Sequence, residues 1–153
     1  MIQRIQTIYL VLSLVLVALI FVIPIANVTY NNEQFVTFRV TGFYDNASET
    51  TSVQTLFVVI LVSILICLLG LTIFLYKRRI MQARLCIINI ALLAGLEAFI
   101  VYNIIYFTKR VPGVNWSPGL SLVFPLIAII LTWLASKAIR KDEKLVRESD
   151  RLR

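Results

Sequence analysis

Four apolar blocks, at residues 5–25, 55–76, 85–107 and 120–139, leave this 153-residue chain little choice of fold. A hydrocarbon core about 30 Å thick takes about 20 apolar residues of helix to cross, and each block is close to that length. Lipid offers no partner to a free backbone N–H or C=O, so such segments must close their own hydrogen bonds as helices. The chain is 59% hydrophobic and 15% charged, where a soluble domain is nearer half apolar and a quarter charged. The loops leave no room for a separate soluble domain. The expectation is one membrane domain over 1–153, an all-α four-transmembrane-helix bundle. The first block is longer than the 7–15 apolar residues usual in a signal peptide and lacks a good cleavage site, so it is expected to be retained.

Orientation follows from the basic residues, because short loops rich in Lys and Arg stay in the cytoplasm. Arg4, the turn after the second block (Lys77, Arg78, Arg79, Arg84) and the tail (Lys137, Arg140, Lys141, Lys144, Arg147, Arg151, Arg153) lie on one side. Arg39, Lys109 and Arg110 lie on the other. Both termini are therefore expected in the cytoplasm. The net charge of +7 reads as an orientation signal and as attraction to anionic lipid. No soluble fold presents it to nucleic acid.

The first outer loop, 26–54, contains a period-two stretch. Phe35, Thr37, Arg39 and Thr41 fall on one face, and Val36, Phe38 and Val40 on the other, which is a strand pattern. Val28, Thr29 and Tyr30, followed by Asn31 and Asn32, supply a partner strand and turn. A small extracytoplasmic β-hairpin is expected, leaning on the helix ends, because an isolated hairpin is marginal in water. In the second outer loop, Ser117 can cap the fourth span with Pro118 at its first position. Pro125 then falls inside the span and should kink it, freeing the carbonyl of Ser121.

The chemistry is defined mostly by what is missing. The chain has no histidine, which excludes His-ligated zinc, bis-His haem and His-based triads. It has no metal-spaced cysteine cluster, Walker motif or dinucleotide glycine motif. No catalytic, cofactor-binding or metal-ligating residue is expected, and the reading is of a protein that is not an enzyme. Cys67 and Cys86 lie at different depths and are expected to be packing residues.

Glu97 is the one ionisable side chain deep inside the four blocks. A carboxylate there costs several kcal/mol unless protonated, paired or hydrated, so it is the default functional-site candidate. By helix rise it lies about 18 Å from Leu85, slightly past the midplane. No Lys or Arg lies at that depth. The simplest state is a neutral carboxyl donating one hydrogen bond to another helix, with Ser63 at matching depth. Asn89, on the same span, completes the expected intramembrane polar site of Glu97, Asn89 and Ser63. No continuous polar track runs along the helix. Ala91 with Gly95, and Ala94 with Ala98, are small-xxx-small pairs that allow close helix approach in lipid, which places the third span at the centre of the bundle.

The tail 140–153 stays helix-compatible, with Glu143 and Arg147 an i,i+4 pair. Arg4, Arg140, Lys141, Lys144 and Arg147 are the candidates for cytoplasmic docking or lipid contact. The opening Met1-Ile2-Gln3-Arg4-Ile5-Gln6-Thr7-Ile8-Tyr9-Leu10 and the closing Ala138-Ile139-Arg140-Lys141-Asp142-Glu143-Lys144-Leu145-Val146-Arg147 resemble the two ends of a family of small four-pass Bacteroidetes membrane proteins catalogued as a domain of unknown function. The resemblance covers the whole length. It implies a bacterial inner membrane and carries over no catalytic residue. The leading expectation is a non-enzymatic accessory or structural subunit of a larger membrane complex, bound to lipid and to other subunits or itself. The alternative is a small oligomeric proton-coupled transporter using Glu97. Small multidrug exporters are similar in having four spans and one embedded glutamate, although theirs lies in the first helix.

Overall fold

Residues that cannot leave a backbone group unpaired in lipid form helices here over each apolar block. The computed structural model describes residues 3–30, 34–45, 56–110 and 114–151. Helix α1 spans Gln3–Leu19, α2 Leu56–Phe74, α3 Arg79–Arg110 and α4 Phe124–Arg151. Three of them are long and apolar enough to cross a membrane, within Leu56–Phe74, Arg79–Tyr106 and Leu120–Val146. The first is shorter than expected. It ends at Leu19, and its last turn tightens into i→i−3 bonds from Ile20, Phe21 and Val22 before Pro24. Pro24 cannot continue the ladder, because it has no N–H to donate.

The helices pack as a ring in which α4 makes the two most extensive contacts, with α1 and α3, while α2 packs on α3 and α1. The third span is therefore one member of the ring, packed on α4 and α2, and not its centre. The reason is visible on α3. Its buried face carries Cys86, Asn89, Leu93, Leu96, Ile100 and Ile104, whereas Ala91, Ala94, Gly95 and Ala98 all face outward. A Cβ placed on Gly95 would meet nothing within 4 Å. The small residues expected inside the bundle lie on its surface.

Two helix boundaries also differ from expectation. The charged turn between α2 and α3 shrinks to a 3-10 turn at Leu75–Lys77 followed by Arg78, with α3 starting at Arg79. Arg, Met, Gln and Ala are good helix formers, so the helix runs past the hydropathy edge. At the other end, Ser117 and Pro118 belong to a strand, Gly119 precedes a 3-10 turn at Leu120–Val123, and α4 proper begins at Phe124. Pro125 thus sits in the first helical turn, where its missing N–H is not needed. No kink is required, and the Ser121 carbonyl accepts the N–H of Phe124.

The expected hairpin is part of a larger sheet. Strand β1 (Ala26–Tyr30) pairs antiparallel with β2 (Gln34–Arg39), with Tyr30 opposite Gln34 and Ala26 opposite Phe38. Strands β3 (Gly42–Asp45) and β4 (Val114–Pro118) extend it to the order β3-β2-β1-β4. The period-two face holds: Phe38 and Val40 are buried, while Arg39 and Thr41 are exposed. The proposed turn at Asn31 and Asn32 lies outside the described residues. The sheet is fastened to the bundle at Pro24 and Ile25. Ile25 N–H donates to Phe38 O at 2.7 Å, Gly119 N–H donates to Ile25 O at 2.9 Å, and the Ser121 hydroxyl donates to Pro24 O at 2.8 Å.

Candidate functional site

Polar side chains inside an apolar bundle must find partners across helices, and two groups of them do so. On α3, Gln82 and Asn89 are seven residues apart and so share a face. Both are buried, as is Thr72 of α2. Asn89 Nδ2 donates to Thr72 Oγ1 at 3.0 Å, and the Thr72 hydroxyl donates to Leu68 O at 2.6 Å. Gln82 Nε2 donates to Thr72 O at 3.0 Å. Thr72 is near the end of α2, where carbonyls run short of intrahelical donors, and Gln82 supplies one. Asn89 Oδ1 remains buried without a partner. The second group joins α1 to α4. The Ser13 hydroxyl lies 2.9 Å from Tyr9 O and 3.2 Å from Thr132 Oγ1, and Thr132 donates to Ala128 O at 2.7 Å.

Glu97 belongs to neither group. The Ser63–Glu97 hydrogen bond expected from matching depth is absent. Ser63 is on the outer surface of α2, and its hydroxyl donates to Val59 O of its own helix at 2.8 Å. Depth alone does not put two residues on facing sides of their helices. Asn89 is likewise committed to Thr72, so Glu97, Asn89 and Ser63 do not form one site. Asn103 is satisfied within α3 by Phe99 O at 2.7 Å. At about 100° per residue, Glu97 sits on the edge between the buried face of α3 and its outward strip of alanines and Gly95. It is half-buried, and its Oε2 is enclosed without a hydrogen-bond partner.

At the basic end of the bundle, Arg140, Lys141 and Lys144 are exposed on α4, which runs without a break from the fourth apolar block into the tail. Arg79 of α3 forms an ion pair with Asp142 at 3.3 Å, although the buried Oδ2 accepts no aligned hydrogen bond. Lys144 pairs with Glu148 at 3.8 Å. The side chains of Arg4 and Arg147, and with them the expected Glu143–Arg147 pair, lie outside the described residues. Sequence reading missed Gln82 and the role of Thr72. The seven-residue spacing of Gln82 and Asn89 was the available signal for Gln82, since it marks one helix face.

Three helices long and apolar enough to span, joined by isolated interhelical hydrogen bonds and capped by a small sheet, give the chain the make-up of a membrane protein. The chain belongs to the family described as a domain of unknown function (DUF4293), which matches residues 2–152. The resemblance read from its two ends is thereby confirmed at the level of the family. No curated protein matches the chain.

Proposed function

We propose that this protein is a four-pass protein of a bacterial inner membrane, with both termini in the cytoplasm, and that it serves as a non-enzymatic subunit of a larger membrane assembly. The observation that carries this reading is the outward face of α3. Ala91, Ala94, Gly95 and Ala98 are all exposed there, and the half-buried Glu97 lies at the edge of that strip. Small residues at this spacing let two helices approach closely in lipid, and a polar side chain beside them adds an interhelical hydrogen bond. Nothing within the described chain uses that face. Transport is less well supported, because the other polar groups of the bundle are closed into separate hydrogen-bonded clusters and form no track past Glu97.

Four passes require α1 to cross. Its 17 residues rise about 26 Å, and the turn to Ile23 brings it near the hydrocarbon thickness. A cytoplasmic reporter should be active when placed after Arg153 or at the Arg78 turn, and silent when inserted at Asn46 or Pro112. Activity at Asn46 would reverse the orientation, and activity on only one of the two basic sites would remove a span.

Glu97 separates the two functional readings. Glutamine keeps the size and a hydrogen-bond donor but carries no titrating proton. If the side chain joins helices, Glu97→Gln should preserve complex size on native electrophoresis. Glu97→Leu should weaken association by about 1–2 kcal/mol, the range for such bonds in lipid. Loss of cellular function in Glu97→Gln with an intact complex would transfer the assignment to proton-coupled transport.

A further inference from the structure

We propose that the cleft between α3 and α4 at the basic end of the bundle binds the phosphate of an anionic phospholipid. Trp133, Lys137 and Arg140 recur at i, i+4 and i+7 on one face of α4 and face Ile87 and Ile90 of α3 across a cavity of about 320 Å³, with Ser136 at its floor. Ser136 is only 4% exposed. Lys137 Nζ stands 5.3 Å from the centre of the Trp133 ring, which holds the ammonium over the indole at the level where aromatic belts sit in membranes. Neither Lys137 nor Arg140 is paired with a carboxylate among the described residues. Asp142 is engaged by Arg79 and Glu148 by Lys144. Two unpaired cations, one hydroxyl and walls of isoleucine and tryptophan match a headgroup phosphate with the first methylenes of its chains. Basic pockets between helices on the cytoplasmic side have this chemistry. A soluble anion would use the cations and leave the apolar walls uncovered, so a lipid is the better fit.

The test uses the full chain with Trp116→Phe, leaving Trp133 as the one indole, reconstituted in vesicles of phosphatidylcholine with a minor fraction of phosphatidylglycerol. Either lipid is brominated in its chains, and quenching of Trp133 reports which one is its neighbour. Brominated phosphatidylglycerol should quench beyond its share of the bilayer. Lys137→Gln and Arg140→Gln should each lower that preference about fivefold, while Lys137→Arg with Arg140→Lys should keep it. Arg84→Gln with Lys144→Gln, which removes twice the charge of either single variant but outside the cleft, should leave it unchanged. Equal loss in this control pair would reduce the effect to general surface charge and overturn the proposal. So would a preference that survives in the cleft variants. Inorganic phosphate should not relieve the quenching. Relief would reassign the cleft to a free anion and overturn the lipid assignment.

Discussion

Replacing Gly119 with alanine should lower the stability of the bundle by about 3 kcal/mol, at the upper end of the range for overpacking a tight contact. The added methyl would lie 2.6 Å from Pro24 O and 2.7 Å from Ile25 O. Both are backbone atoms, so no side-chain rotation can relieve the contact. The backbone of Gly119 is in an ordinary extended conformation, with φ −82° and ψ 162°. The constraint is therefore close approach and not dihedral strain. Moving the chain aside would break the Gly119 N–H bond to Ile25 O and disturb the Ser121 bond to Pro24 O. These are the fastenings between the start of α4 and the exit of α1. The check is a thermal scan in mild detergent followed by far-ultraviolet circular dichroism. Gly70→Ala is the control. It sits mid-helix in α2 with nothing within 4 Å of its Cβ position, so alanine there should gain about 0.5–1 kcal/mol from lost unfolded-state freedom. If Gly119→Ala melted with the parent, the docking of the sheet to the bundle would be wrong.

Thr72→Val should be the most damaging change inside the bundle that leaves shape untouched. Valine keeps the volume but removes the oxygen that accepts from Asn89 Nδ2. Asn89 Oδ1 already has no partner, so the whole buried amide would be left unsatisfied. Stranding such a group costs roughly 1–3 kcal/mol, and the lower half of that range applies in lipid, where the unfolded chain also finds partners. Asn89→Leu should cost less, because it removes the unsatisfied group, and the Thr72 hydroxyl still has Leu68 O at 2.6 Å. Thr72→Ser keeps the oxygen and should fall between parent and valine. A series in which Asn89→Leu is worse than Thr72→Val would contradict the cluster as described. The same melting experiment ranks all three.

Hydropathy located α2, α3 and the apolar part of α4 to within a turn or two, because insertion into lipid depends on local composition and on backbone bonds that each helix closes for itself. The period-two pattern of Phe38, Val40 and their neighbours located β2 for a similar reason: alternation is set by the strand's own geometry. The partner strand β1 was legible too, but its register with β2, Tyr30 opposite Gln34, was set only by the folded sheet. By contrast, β4 was hidden. Val114–Pro118 carries only five residues and ends in a proline next to a glycine, which reads equally well as a loop and a helix cap. Its pairing with β1 joins residues some ninety positions apart, and no local pattern encodes that.

The polar site divides along the same line. That Glu97 lies deep, and that nothing basic shares its depth, is a property of the sequence alone. Which residues meet is not. α2 and the apolar core of α3 are hydrophobic all round, so no amphipathic stripe says which face turns inward. Only the packed ring of helices decides that Thr72 rather than Ser63 faces α3, that Asn89 pairs with it, and that the alanine strip beside Glu97 is left on the outside. In water a polar stripe would have announced these choices. In lipid both faces of a helix are apolar, and orientation is settled by packing and by a few hydrogen bonds between residues far apart in the chain.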